Sequence, residues 1–192
     1  MRRRIIVVAL ALAAAAVCAR AAVAEYYYPW TYTTPVTSCY TISQWYGDGN
    51  ISHHEPYQDD AKAVDLRTPY GTPVYATQDG WIKFEGWQVT NGSYGPGGIM
   101  IRLDDNEGNE TVYAHLSQTI VDQWQLVGKN QLIGYTGASG YGSFWYWPAH
   151  LHWAIRIESG SALPPDDIPG VYGPHGPYVI PDSEAYAYSV CA

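Results

Sequence analysis

From about residue 49 to Ser159 the chain alternates short apolar runs with turn-forming residues. Ala63-Val64-Asp65-Leu66 predicts a strand, Thr68-Pro69-Tyr70-Gly71 a turn, and Pro73 to Thr77 a second strand. Asp79-Gly80 predicts a tight turn into Trp81-Ile82-Lys83-Phe84. Asn91 to Gly98 reads as a Gly-rich loop, Ile99 to Leu103 as a strand, Asp104 to Asn109 as a hairpin turn, and Glu110 to Leu116 as the returning partner. Gln118 to Val127 predicts one short helix. Gln131 to Gly134 and the alternating Leu151 to Ile157 complete the strands. The pattern therefore predicts a mainly β domain, an antiparallel sheet or sandwich.

The two ends read differently. Arg2, Arg3 and Arg4 precede an apolar run, Ile5 to Val17, and Ala22-Val23-Ala24 offers small residues for a signal peptidase. Residues 1–24 are expected to be a signal peptide, 25–46 an N-terminal extension, 47–160 the domain, and 161–192 a Pro- and Gly-rich tail packing on it. The apolar run is shorter than the roughly 20 residues a bilayer span needs. No other stretch is long enough, so no transmembrane segment is expected after cleavage. Cys39 and Cys191 would remain, and in an exported chain such a pair predicts a disulfide.

Charge narrows the partners. The full chain carries a formal −8. Without Arg2, Arg3, Arg4 and Arg20 it holds six basic residues against eighteen acidic ones, a formal −12. That balance argues against nucleic acid, whose phosphates need Lys and Arg. Eighteen Tyr and eight Trp against two Phe suit partly wet clefts as well as cores.

Chemistry concentrates in five of the six histidines and one carboxylate. His150 and His152 sit at i and i+2 of a strand, on one face and about 6.5–7 Å apart along the backbone. They are either a converging pair or two solvated surface residues. Asp65 lies between Val64 and Leu66, where a carboxylate is costly unless paired or bound to a cation. Arg67, two residues on, offers one partner. A metal offers another. His115, in Tyr113-Ala114-His115-Leu116, is either a core histidine or part of the same site. His53 and His54 follow the Asp48-Gly49-Asn50 turn in a segment leading toward Asp65.

At these residues the chain resembles the M23 peptidases, the lysostaphin- and LytM-type peptidoglycan endopeptidases. The resemblance runs through Asp65-Leu66, Pro69-Tyr70-Gly71-Thr72-Pro73-Val74-Tyr75-Ala76, Asp79-Gly80, Tyr113-Ala114-His115-Leu116-Ser117, Val127 to Gly137, and His150-Leu151-His152-Trp153. It covers roughly residues 49–157. It implies the LytM-type antiparallel fold (a duplicated hybrid motif) with long loops forming a narrow groove. It also implies one zinc ion, bound by Asp65, His152 and a histidine from the 53–54 pair. His115 and His150 would then be non-ligand catalytic histidines that handle protons and charge.

Two features depart from the family pattern. The position four residues before Asp65, often a histidine in the family, is Ala61. His54 and Tyr57 resemble a longer-loop variant, so His53 and His54 both stay open, with the shorter reach favouring His54. Phe144-Trp145-Tyr146-Trp147-Pro148-Ala149 replaces the usual small residues before His150 and is expected to wall one side of the cleft. The resemblance implies a secreted or otherwise extracytoplasmic bacterial enzyme cleaving cross-links or stem peptides of peptidoglycan. Two rivals are a non-catalytic cell-wall binding or regulatory module of the same fold, and an aromatic-rich carbohydrate-binding module. The sequence is silent on oligomeric state.

Overall fold

The structure is a computed structural model describing residues 33–44, 63–105 and 108–156, with the backbone of 162–163 and 189–190. Its strands are β1 (Tyr40–Gln44), β2 (Val64–Arg67), β3 (Pro73–Tyr75), β4 (Gly80–Thr90), β5 (Ser93–Asp104) and β6 (Glu110–Thr119). β7 (Leu126–Val127), β8 (Leu132–Thr136), β9 (Leu151–Arg156), β10 (Ala162–Leu163) and β11 (Ser189–Val190) follow. Among the described residues there is no helix, and every strand ladder is antiparallel. The mainly β, antiparallel architecture expected from sequence is what forms.

The main path of the sheet runs β11-β1-β2-β9-β6-β5-β4-β7, with β10 on β9 and with β8 joining β3 to β6. β1, from the segment expected as an extension, is thus a sheet member beside β2. Alternation decides what is buried. Leu151, Trp153 and Ile155 of β9, Val64 and Leu66 of β2, and Ile99, Ile101 and Leu103 of β5 enter one apolar core. Val74 and Ile133, from β3 and β8, pack into the same core. The alternate residues of β2 and β9, Asp65 and His152, are left on the opposite face.

Tyr113 is a polar anchor in that core. Its hydroxyl accepts from the Thr77 backbone N–H at 2.9 Å and shares a second 2.9 Å bond with the Thr77 hydroxyl. Burial pushes its phenol up to about 12. Both polar partners are satisfied, which is what a fully buried hydroxyl requires.

Two expected elements differ. Asn91-Gly92 alone forms the turn between β4 and β5, with φ of 52° and 78° and Thr90 opposite Ser93. That is the two-residue turn matching strand twist, so residues 93–98 are strand rather than loop. The Gln88 side chain makes this possible by accepting the Gly97 N–H at 2.7 Å. The helix expected over Gln118–Val127 does not form. Gln118 and Thr119 belong to β6, opposite Tyr135 and Gly134, and Ile120 donates its N–H to Ile133. Trp124 takes a left-handed φ of 70°, donates its N–H to Ile82, and stacks on Trp81 at 4.8 Å. Sheet pairing and this stack override a local helical preference.

Glu110 gathers Arg102, Lys83 and Arg156 across β4, β5, β6 and β9, at 2.6, 3.3 and 3.3 Å. Burial pushes its carboxyl up, but hydrogen bonds and charge from Arg102 and Lys83 outweigh this and hold it below the ordinary 4.5. A carboxyl with a lowered folded pKa stabilises the fold above its unfolded pKa, and that contribution is lost as pH falls through the lower, folded value. Glu110→Gln is expected to cost about 1–3 kcal/mol at neutral pH. It should also flatten the loss of stability below pH 4.5, measured by urea unfolding across pH.

A carboxylate and three imidazoles at one end of the sheet

Strand register brings the candidate residues together. β2 pairs with β9 so that Asp65 stands opposite His152, and β6 pairs with β9 so that Ala114 stands opposite the same residue. Asp65 Oδ1 lies 3.0 Å from His152 Nδ1, and Asp65 Oδ2 lies 3.7 Å from His150 Nε2. Arg67, the other partner considered for Asp65, is exposed. The His115 ring centre is 4.5 Å from that of His150 and 5.6 Å from that of His152. All three histidines are buried, at 8, 9 and 8% exposure for His115, His150 and His152. They are not solvated surface residues.

His115 owes its place to a break in β6. Ile99 faces Leu116, while Ile101 faces Tyr113, so the register slips by one residue. The extra residue makes a bulge, and His115 sits there with φ +61°. Residues up to Ala114 pair with β9, and residues from Leu116 on pair with β8. Regular alternation would not set His115 beside His152 and Asp65. The bulge does.

Carbonyls fix two of the rings. A carbonyl oxygen only accepts, so His115 Nδ1 donates to Ser139 O at 2.9 Å and His150 Nδ1 donates to Pro148 O at 2.7 Å. In the neutral rings this puts the lone pair on Nε2. His152 differs in turning Nδ1 to the carboxylate. Burial first, then the neighbouring His150 and His152, push the His115 imidazole down to about 3, against smaller opposing effects of the Ser139 carbonyl and Asp65.

One aromatic side chain borders the site, and others cluster in the segments around it. Trp147 meets His115 edge-on at 5.9 Å and donates Nε1–H to Pro96 O at 3.0 Å. Tyr70 stacks on Trp145 at 4.3 Å, and both are exposed. Phe144 packs edge-on against Trp87. Of the run 144–147, Trp147 is the residue that meets a site histidine. Trp87 and Ser139 were not singled out from sequence, and the local hint of Ser139 was the run of small residues Gly137-Ala138-Ser139-Gly140.

The donor set suits zinc. Two ligands on one tetrahedral zinc, each at about 2.0–2.2 Å, lie about 3.3–3.5 Å apart, close to the Asp65–His152 contact. Among the described residues no group of three His, Cys, Asp or Glu is arranged to hold a metal by itself. His53 and His54, expected to supply the third ligand, lie outside the described residues.

The antiparallel sheet brings one carboxylate and three imidazoles into a single cluster, side chains of the types that metallopeptidases use as ligands. The profile of peptidase family M23 matches residues 59–165. The chain belongs to peptidase family M23. It is 38% identical over 101 residues to the DD-carboxypeptidase/endopeptidase Mpg of Neisseria meningitidis, covering 53% of this chain and 21% of that protein. It is 41% identical over 99 residues to the glycyl-glycine endopeptidase ALE-1 of Staphylococcus capitis, covering 51% of this chain and 25% of that one. These matches span about a fifth to a quarter of the relatives' lengths. In three dimensions it resembles the catalytic domain of lysostaphin from Staphylococcus simulans, with TM-score 0.53 and 30% identity over 66% of this chain and 89% of that one.

A histidine whose folded pKa is lowered binds fewer protons than the unfolded chain between the two values, so it disfavours the fold as pH falls through about 6.5. In the metal-free protein, the His115 ring carbons should show no titration by NMR between pH 8 and 5. An exposed histidine would titrate near 6.5.

Proposed function

We propose that the protein is a zinc-dependent endopeptidase, secreted or otherwise extracytoplasmic, that hydrolyses peptide bonds in peptidoglycan cross-links or stem peptides. The observation that carries this reading is the cross-strand pair Asp65–His152, 3.0 Å apart and flanked by His115 and His150. A partly buried carboxylate among three imidazoles concentrates metal-ligand and proton-transfer groups in one place, which binding to a wall polymer alone does not call for. Relatives named for DD-carboxypeptidase/endopeptidase and glycyl-glycine endopeptidase activities support the same class of bond.

Asp65, His152 and one histidine of the 53–54 pair would hold the zinc. When bound, the ion would supply Lewis acidity toward a peptide carbonyl and lower the pKa of a water on it to about 7. His115 and His150, tied at Nδ1, would present an Nε2 lone pair able to accept a proton from the attacking water, and an Nε2 so protonated can then donate to charge on the scissile oxygen. Trp147, edge-on to His115, would narrow the approach to the cluster. A narrow approach favours small residues such as Gly or D-Ala at the cut.

Export rests on the N-terminal pattern of residues 1–24. The bridge between Cys39 and Cys191 is supported by the pairing of β1 with β11, in which Tyr40 faces Val190. Among the described residues no helix is long and apolar enough to cross a membrane.

Digestion of purified peptidoglycan by the zinc-loaded protein should release new termini identifiable by mass spectrometry. An untouched substrate would overturn the enzymatic reading. Asp65→Ala and His152→Ala should lose both zinc and activity. His115→Ala should keep zinc and lose about 10²–10⁴-fold in kcat. Loss of zinc in His115→Ala would overturn the assignment of roles. Of His53→Ala and His54→Ala, only one should lose zinc.

A further inference from the structure

Ser139 joins three features of the site that the proposed reaction does not itself explain. It is fully buried, at 0% exposure. Its hydroxyl accepts from the Ile99 N–H at 2.9 Å and donates to the Leu116 carbonyl at 2.7 Å. Ile99 and Leu116 stand opposite one another on β5 and β6. The hydroxyl is therefore inserted between an N–H and a C=O that a regular ladder would join directly. Its own carbonyl accepts the Nδ1–H of His115.

The surroundings are shaped for this insertion. Gly98 has φ +64°, and a Cβ there would fall 2.4 Å from Ser139 backbone and hydroxyl atoms. A Cβ on Gly137 would fall 2.4 Å from Ser117 N and 2.8 Å from His115 O. Gly137 also accepts the His150 backbone N–H at 3.2 Å. One short segment, residues 137–139, thus holds the backbone of His150 at one end and the ring of His115 at the other.

We propose that Ser139 is a positioning residue for His115. It locks the bulge at which β6 changes partner and holds the His115 ring as the Nδ1–H tautomer, with Nε2 directed into the cluster. The inference rests on reading His115 as the group that acts on substrate. Without the hydroxyl, Ile99 N–H and Leu116 C=O lose their shared partner in a buried place, and the left-handed conformation of His115 loses its brace. Metal binding has no such dependence, because Asp65 and His152 are held by the β2–β9 register.

Ser139→Ala is therefore expected to keep full zinc content and an unchanged KM while losing about 10–100-fold in kcat. Ser139→Thr, which retains a hydroxyl, should recover part of that loss. Long-range ¹⁵N–¹H NMR of the wild-type protein should show His115 as the Nδ1–H tautomer that the Ser139 carbonyl requires. Wild-type kcat in Ser139→Ala, or a kcat loss that tracks zinc loss, would overturn the proposal. So would an Nε2–H tautomer of His115 in the wild-type protein, a result that does not depend on any variant folding. If His115→Ala kept full activity while the wild-type tautomer was Nδ1–H, the catalytic reading of His115 would fail and the structural role of Ser139 would stand.

Discussion

The register of three strands governs this molecule. β2, β9 and β6 lie side by side so that Asp65, His152 and Ala114 fall in one row. A slip of one residue in either ladder would turn Asp65 or His152 into the apolar core. Burial of Val64, Leu66, Leu151 and Trp153 on the other face makes such a slip prohibitive. The site is thus positioned by hydrophobic packing it does not touch. Its carboxylate–imidazole pair is a consequence of which face the core takes.

The ladder alone does not complete the cluster. In a regular strand, His115 beside Ala114 would point to the core. The bulge removes it from the alternation, and a left-handed backbone at a non-glycine residue is a strained state that neighbours must hold. Here the neighbours are Ser139, the glycines beside it, and the switch of β6 from β9 to β8. Strain sits next to the reactive groups, while the β2–β9 and β6–β9 ladders that set Asp65 against His152 stay regular.

Much of this was legible in the sequence. The strand around Asp65, the return at Glu110–Leu116 and the His150–His152 spacing follow from alternation and turn residues. Their order matched a family, and the fold and family followed. What was not legible depends on distant partners. Gly95, Pro96 and Gly97 look like a loop, yet the Gln88 side chain lets them run as strand. Gln118–Val127 looks helical, yet its ends pair with β8 and with β4. No local pattern announces the positive φ of His115, because it is the three-way meeting of β5, β6 and residues 137–139 that imposes it. The choice between His53 and His54 depends on a segment whose spacing departs from the common family pattern at Ala61.

The most direct test of the account is a crystal structure of the zinc-loaded protein with anomalous diffraction at the zinc edge. The account predicts a single peak about 2.0–2.2 Å from one Asp65 oxygen and one His152 nitrogen, with a third ligand from His53 or His54. His115 and His150 should stand outside the coordination shell, their Nε2 atoms turned toward it. A peak coordinated by His115, or no peak at Asp65 and His152, would contradict it.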